Sequence, residues 1–202
     1  MTKIKLCGLT RPADIRAANA LRPDFIGFVF WEKSRRFLTP EQAFRLREAL
    51  DPAIRAVGVF VDESPATVAR LLEEGVIDLA QLHGHEDSDY MKALREKTDM
   101  PVIKAFRVGS AHDRLSVEAF PSELLLLDAG MGSGATFDWS AVADVKRDFF
   151  LAGGLDAGNV ALAIRTLHPF GVDVSSGIER EGRKDPQKMA AFVAAVREED
   201  QA

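Results

Sequence analysis

Eight short apolar runs alternate with helix-patterned stretches along 202 residues. Such alternation is the signature of repeated βα units around a parallel sheet. The runs are Lys3 to Cys7, Phe25 to Phe30, Ala56 to Val61, Leu79 to His83, Val102 to Arg107, Leu124 to Asp128, Phe149 to Ala152 and Val172 to Ser175. Each is too short for a helix. Helix starts between them carry readable chemistry: Thr10, Arg11 and Pro12; Thr39 and Pro40 with Gln42 as a capping box; Ser64 and Pro65; Asp185 and Pro186. Ala66 to Glu74 and Lys188 to Arg197 place apolar residues three and four apart, one face toward a sheet. Eight units give about 25 residues each, the compact end of a closed barrel. An open doubly wound sheet would use about five or six strands, and no G-x-G-x-x-G follows the first run. The expected fold is therefore α/β, a closed (β/α)8 TIM barrel forming a single domain over residues 1–202.

The 47% hydrophobic content supports one sizeable core. A single cysteine excludes an intrachain disulfide and fits a reducing compartment. Met1 to Asp14 has no long apolar segment, and no stretch approaches the ~18 apolar residues that cross a bilayer. A soluble, cytoplasmic protein without a membrane partner is expected. With a net charge of -5 and lysines and arginines spread along the chain, a nucleic-acid partner is not expected either. An anionic ligand would need a local site working against the overall field.

Barrel chemistry sits at the carboxyl ends of the strands. Those ends read Cys7, Phe30 with the loop bearing Arg35 and Arg36, Asp62, His83, Arg107, Asp128, Gly153 with Gly154, and Ser175 to Gly177. Backbone amides of the last two loops, LAGGL and DVSSGIE, suit the oxygens of a phosphate. A lone cysteine is most often a small buried hydrophobe, and an Asp before Ala-Gly is ordinary turn chemistry. Neither residue identifies a catalyst by itself. His83 and His85 have spacing compatible with a metal, but His112 and His168 fall within or after helical stretches, so no metal site is expected. Asp62 and Arg107 fit a pocket wall or a local hydrogen bond equally well.

The chain resembles the phosphoribosylanthranilate isomerases of tryptophan biosynthesis. The resemblance runs through KLCGLT at 5 to 10, GFVFWEKSRRF at 27 to 37, VGVFVD at 57 to 62, QLHG at 81 to 84, IKAFRV at 103 to 108, LLDAG at 126 to 130, GSGATFDW at 132 to 139, LAGGL at 151 to 155 and GVDVSSGIE at 171 to 179. It implies a (β/α)8 barrel and a cofactor-free Amadori rearrangement of N-(5-phosphoribosyl)anthranilate, a small phosphosugar carrying an anthranilate. It further implies Cys7 as general base, Asp128 as general acid, Arg36 as holder of the anthranilate carboxylate, and Gly153, Gly154, Ser175, Ser176 and Gly177 as the phosphate loops. His83 and Asp173 join these as substrate-binding candidates, and the protein is expected as a monomer or homodimer. Ser34, Arg35 and Arg36 stand where the family usually reads Ser-Pro-Arg, so Arg35 is a second candidate for the carboxylate. The stretch from Asp128 to Gly132 is shorter than usual, with Met131 for a glycine and Ala135 for a common lysine. The run EREGRKD at Glu179 to Asp185 lacks a proline, a change on the rim. Two alternatives are a different phosphosugar enzyme on this barrel, an epimerase or indole-forming synthase, and a non-catalytic phosphosugar-binding protein.

An acid and a base on opposite sides of the sugar suffice for this isomerisation. With ordinary pKa values near ~3.9 for Asp and ~8.5 for Cys, both begin in the wrong state at neutral pH. Burial and a neighbouring thiolate would hold Asp128 protonated. Strand alternation puts Lys5 on the same face as Cys7. From there Lys5 either lowers the thiol pKa or forms a barrel-floor salt bridge with Asp173.

Overall fold

The computed structural model describes residues 1–107, 117–128, 142 and 145–202. All eight runs are strands: β1 (Lys3–Cys7), β2 (Phe25–Val29), β3 (Arg55–Phe60), β4 (Leu79–Leu82), β5 (Val102–Arg107), β6 (Leu124–Asp128), β7 (Phe149–Ala152) and β8 (Gly171–Val174). Each pairs in parallel with its sequence neighbours, and β8 returns to β1 with Lys5 opposite Asp173, closing the barrel. The open sheet is thereby excluded. Phe30, Val61, His83 and Ser175, expected to end strands, lie one residue past the regular pairing. The ladder frays at the mouth rather than stopping: the N–H of His83 still donates to the Phe60 carbonyl at 2.8 Å, and that of Phe30 to Val59 at 2.9 Å.

The described helices are α1 (Pro12–Leu21), α2 (Pro40–Glu48), α3 (Pro65–Glu73), α4 (Ser88–Arg95), α5 (Val160–Leu167) and α6 (Pro186–Glu199). Thr39 and Gln42 form the reciprocal cap expected of them, at 3.3 and 2.9 Å. The Ser64 hydroxyl accepts from Thr67, and Asp185 accepts from Gln187 and Lys188. At α1 the cap is not Thr10. Asp14 reaches back to the backbone N–H groups of Thr10 and Arg11, at 3.0 and 2.9 Å. Residues 117–119 are helical. His112 and the stretch carrying Met131, Ala135 and GSGATFDW lie outside the described residues.

Period-two alternation divides the core in two. Outward residues such as Ile4, Leu6, Ile26 and Phe28 pack beneath the helices. Inward Phe25, Val57, Leu79, Ile103, Leu126 and Phe150 fill the barrel interior, where Phe25 meets Phe150 edge to face at 5.4 Å. Toward the strand ends the interior turns polar with Lys5, Gln81 and Asp173, then Cys7 beside Val29 and Val59. A feature the sequence did not announce interrupts the path from β8 to α6: a short antiparallel hairpin, β9 (Glu179–Arg180) and β10 (Arg183–Lys184).

Candidate active site

A cavity of about 480 Å³ opens at the carboxyl ends of the strands. Cys7, Arg36, His83, Asp128, Gly153, Gly154, Asp173, Ser175 and Ser176 all line it, whereas Arg35, Asp62, Arg107 and Gly177 do not. A side chain at Gly177 would run into the Leu155 carbonyl oxygen at 2.0 Å, so this glycine lets the β8 loop pack against the β7 loop.

Cys7 ends β1 as a buried free thiol. Two glycines make its setting. A Cβ on Gly27, its partner across β2, would stand 2.7 Å from the sulfur. A Cβ on Gly8, at φ +80°, would stand 2.4 Å from Cδ of Arg36, so the arginine stem crosses directly above the backbone that follows the thiol. Lys5 resolves its two readings by doing both. Its ammonium donates to Asp173 Oδ1 at 3.0 Å and acts electrostatically on Cys7. The expectation that Lys5 leaves the thiol with a depressed pKa is corrected. Burial is the largest influence and raises the thiol, Lys5 and Lys184 pull it down, Asp173 pushes it up, and the balance is upward. For Lys5 itself burial acts downward, but Asp173 and Cys7 outweigh it and the ammonium is strengthened.

Asp128 ends β6 with its side chain 23% exposed. His83 Nε2 lies 3.8 Å from its Oδ2. Behind the histidine stands Gln81, wholly buried, whose amide nitrogen is 2.9 Å from His83 Nδ1. This contact orients the imidazole with Nε2 on the side of the acid. Gln81 was missed in the sequence reading. The available signal was its place two residues before His83, on the inward phase of β4.

Arg36 is gripped rather than solvated. Its Nε and Nη2 donate to Glu179 at 2.6 and 3.0 Å, the two-pronged geometry of guanidinium on carboxylate. Arg35 donates to the same carboxylate at 2.9 Å but remains 63% exposed. Lys184 adds a third cation at 2.8 Å. Burial would raise the Glu179 pKa, but the hydrogen bonds from Arg36 and Lys184 prevail and hold it down to about 2. The EREGRKD run is thus not merely rim: Glu179 and Lys184 are both buried.

Asp62 is a local staple, accepting the backbone N–H of His85 at 2.5 Å and lying 3.1 Å from its ring. The first of these holds its carboxyl below the usual range. Arg107 lines an adjoining cavity of about 740 Å³ with Lys104, Phe106 and His85, and the two cavities share Val29, Val59 and His83. Among the described residues no three His, Cys, Asp or Glu side chains are gathered to hold a metal. Nor is any described helix long and apolar enough to cross a membrane.

A closed (β/α)8 barrel whose β7 and β8 loops supply glycine and serine amides to a mouth bearing ionisable groups defines a class, the phosphosugar-handling barrel enzymes. Comparison with known proteins narrows it. The family model described as N-(5'phosphoribosyl)anthranilate (PRA) isomerase matches residues 4–195. The N-(5'-phosphoribosyl)anthranilate isomerase of Endomicrobium trichonymphae is 41% identical over 202 residues, spanning 98% of this chain and 99% of its own. The phosphoribosyl anthranilate isomerase structure from Thermotoga maritima superposes with a TM-score of 0.87 at 36% identity, covering 98% of this chain and 100% of that one. Another isomerase structure, solved with reduced 1-(o-carboxyphenylamino)-1-deoxyribulose 5-phosphate, gives 0.86 at 35% identity, covering 98% and 100%. The chain belongs to the N-(5'-phosphoribosyl)anthranilate isomerase family, and the epimerase and synthase alternatives fall away.

Proposed function

We propose that this chain isomerises N-(5-phosphoribosyl)anthranilate to 1-(2-carboxyphenylamino)-1-deoxy-D-ribulose 5-phosphate in tryptophan biosynthesis, with Cys7 as general base and Asp128 as general acid. The supporting observation is that one cavity carries the thiol, the carboxyl, Arg36 and both phosphate loops. Asp128 delivers a proton to the ring oxygen as the bond from carbon 1 to that oxygen breaks, and the nitrogen lone pair supplies the electrons for the open imine. Cys7 then removes the proton from carbon 2 of the protonated imine, giving an enaminol whose carbon 1 takes up a proton as its carbon 2 hydroxyl loses one to become the ketone. Substrate and product are isomers, so the sequence needs no oxidant or reductant.

Arg36 presents the anthranilate carboxylate with its Nη1–Nη2 edge, since Glu179 occupies the other edge. Gly153, Gly154, Ser175 and Ser176 hold the phosphate, while His83 and Asp173 contact the sugar. Arg35, bound to Glu179 and mostly solvated, is a poorer candidate for the carboxylate. The reading takes residues 1–202 as one domain, a monomer or homodimer working in a reducing cytoplasm where Cys7 stays a thiol.

Growth of an isomerase-deficient strain on tryptophan-free medium tests the activity. The native chain should rescue it, whereas Cys7→Ala and Asp128→Asn should each lose at least ~100-fold in turnover. Near-normal turnover by either variant would remove that residue from the mechanism. Arg36→Lys should raise KM chiefly, because a point charge cannot copy the fork.

A further inference from the structure

We propose that Glu179 and Lys184 are positioning residues for the isomerisation: the β9–β10 hairpin aims Arg36 through Glu179 and holds Ser175 beside Cys7 through Lys184. The inference rests on the roles given above to Arg36 and Cys7. A carboxylate offers about four acceptor sites, and all four of Glu179 are taken. Oε1 accepts Arg36 Nε at 2.6 Å and Lys184 Nζ at 2.8 Å. Oε2 accepts Arg36 Nη2 at 3.0 Å and Arg35 Nη2 at 2.9 Å. A carboxylate so occupied has no capacity to act on substrate. Its effect is to fix the plane of the Arg36 guanidinium and leave the Nη1–Nη2 edge at the cavity.

Lys184 spreads its ammonium over the same region. It donates to the Ser175 carbonyl at 2.8 Å and to the Ser175 hydroxyl at 3.2 Å, and that hydroxyl donates to the Cys7 carbonyl at 3.2 Å. One buried cation therefore joins the carboxylate anchor, the β8 phosphate loop and the β1 strand end. The hairpin is itself pinned from both sides. Arg11, at the start of α1, donates to the Lys184 carbonyl at 2.6 Å, and Lys188 of α6 donates to the Glu179 carbonyl at 2.8 Å. The charged groups acting on Cys7 are Lys5 from its own strand, Asp173 from β8 and Lys184 from β10, with Arg36, His83 and Asp128 on the other cavity walls. Lys184 is one of the two cations favouring the thiolate.

Two isosteric or near-isosteric changes in the full chain read the two halves separately. Glu179→Gln keeps the shape but loosens the fork, so KM should rise about tenfold, the scale of one charge-assisted hydrogen bond, while kcat changes far less. In an Arg36→Lys background the same change should add little further, because the aimed group is already gone. Lys184→Met should move the pH midpoint of Cys7 alkylation by iodoacetamide upward by about one unit, and Lys184→Arg should largely restore it. An unchanged KM in Glu179→Gln, with only thermal stability lost, would make the hairpin a structural clasp and overturn the inference. A lowered KM would overturn it too, since Glu179 would then compete with substrate for Arg36. An unmoved alkylation curve in Lys184→Met defeats the second half. Should that variant fail to fold, Glu179→Gln decides alone. Parallel Cys7→Ala and Arg36→Lys kinetics separate this failure from failure of the catalytic reading, because alkylation follows the thiol whether or not it is the base.

Discussion

Of the three buried lysine–carboxylate pairs among the described residues, two have opposite surroundings. Lys104 and Glu86 meet at 2.7 Å with side chains 5% and 1% exposed. The pair is closed by backbone: Lys104 also donates to the Gly84 carbonyl, while Glu86 accepts the N–H groups of Asp62 and Gly84. Those bonds tie the ends of β3, β4 and β5 together. Lys5 and Asp173 meet at 3.0 Å in the barrel interior, and the next group along is not backbone but the Cys7 thiol. A buried charge pair costs desolvation wherever it sits. When backbone groups take up its remaining hydrogen-bonding capacity it works as a staple, and when a titratable neighbour does so it tunes that neighbour.

The largest test of this contrast is Glu86→Ala, which strands the Lys104 charge. It should cost about 3–5 kcal/mol, read by urea unfolding, while leaving the pH dependence of Cys7 alkylation where it was. A displaced alkylation curve would dissolve the distinction. Next in size, Lys5→Met should raise the alkylation midpoint by about one unit, whereas Lys104→Met should not move it. Equal shifts from both lysines would mean that the thiol responds to net charge rather than to its neighbour. The smallest expected effect concerns the third buried carboxylate. The Glu179 pKa lies at about 2, below the ordinary 4.5. A depressed carboxyl contributes stability that is complete above its unfolded value and lost as pH falls through its folded one. The stability difference between the native chain and Glu179→Gln should therefore be full at neutral pH and vanish between pH 4.5 and about 2. A difference that persists unchanged at the acid end would assign it to shape instead of charge.

The barrel was legible because a period of two is a local property. Leu79 to His83 announces a strand without reference to any other segment, and strand ends then name Cys7, Asp128 and His83. What escaped depends on partners distant in sequence. Glu179 finds Arg36 across 143 positions, and nothing in EREGRKD says that its first glutamate and its lysine turn inward. The hairpin that carries them is two residues per strand, too short for alternation to appear. The start of α1 differs for a related reason: Thr10 has the chemistry of a cap, but the charged Asp14 reaches back to the N–H groups of Thr10 and Arg11 instead. Gln81 was hidden by its neighbours, a polar residue in an apolar run whose value lies in what it does to His83.

Gly27 adds no functional group to the mouth, yet its missing methyl is the niche in which the Cys7 sulfur rests. Position 27 should consequently behave in saturation mutagenesis like part of the chemistry. Even alanine would have to displace the sulfur or prise two neighbouring strands apart, so a phenotype there would report lost room rather than a lost reactant.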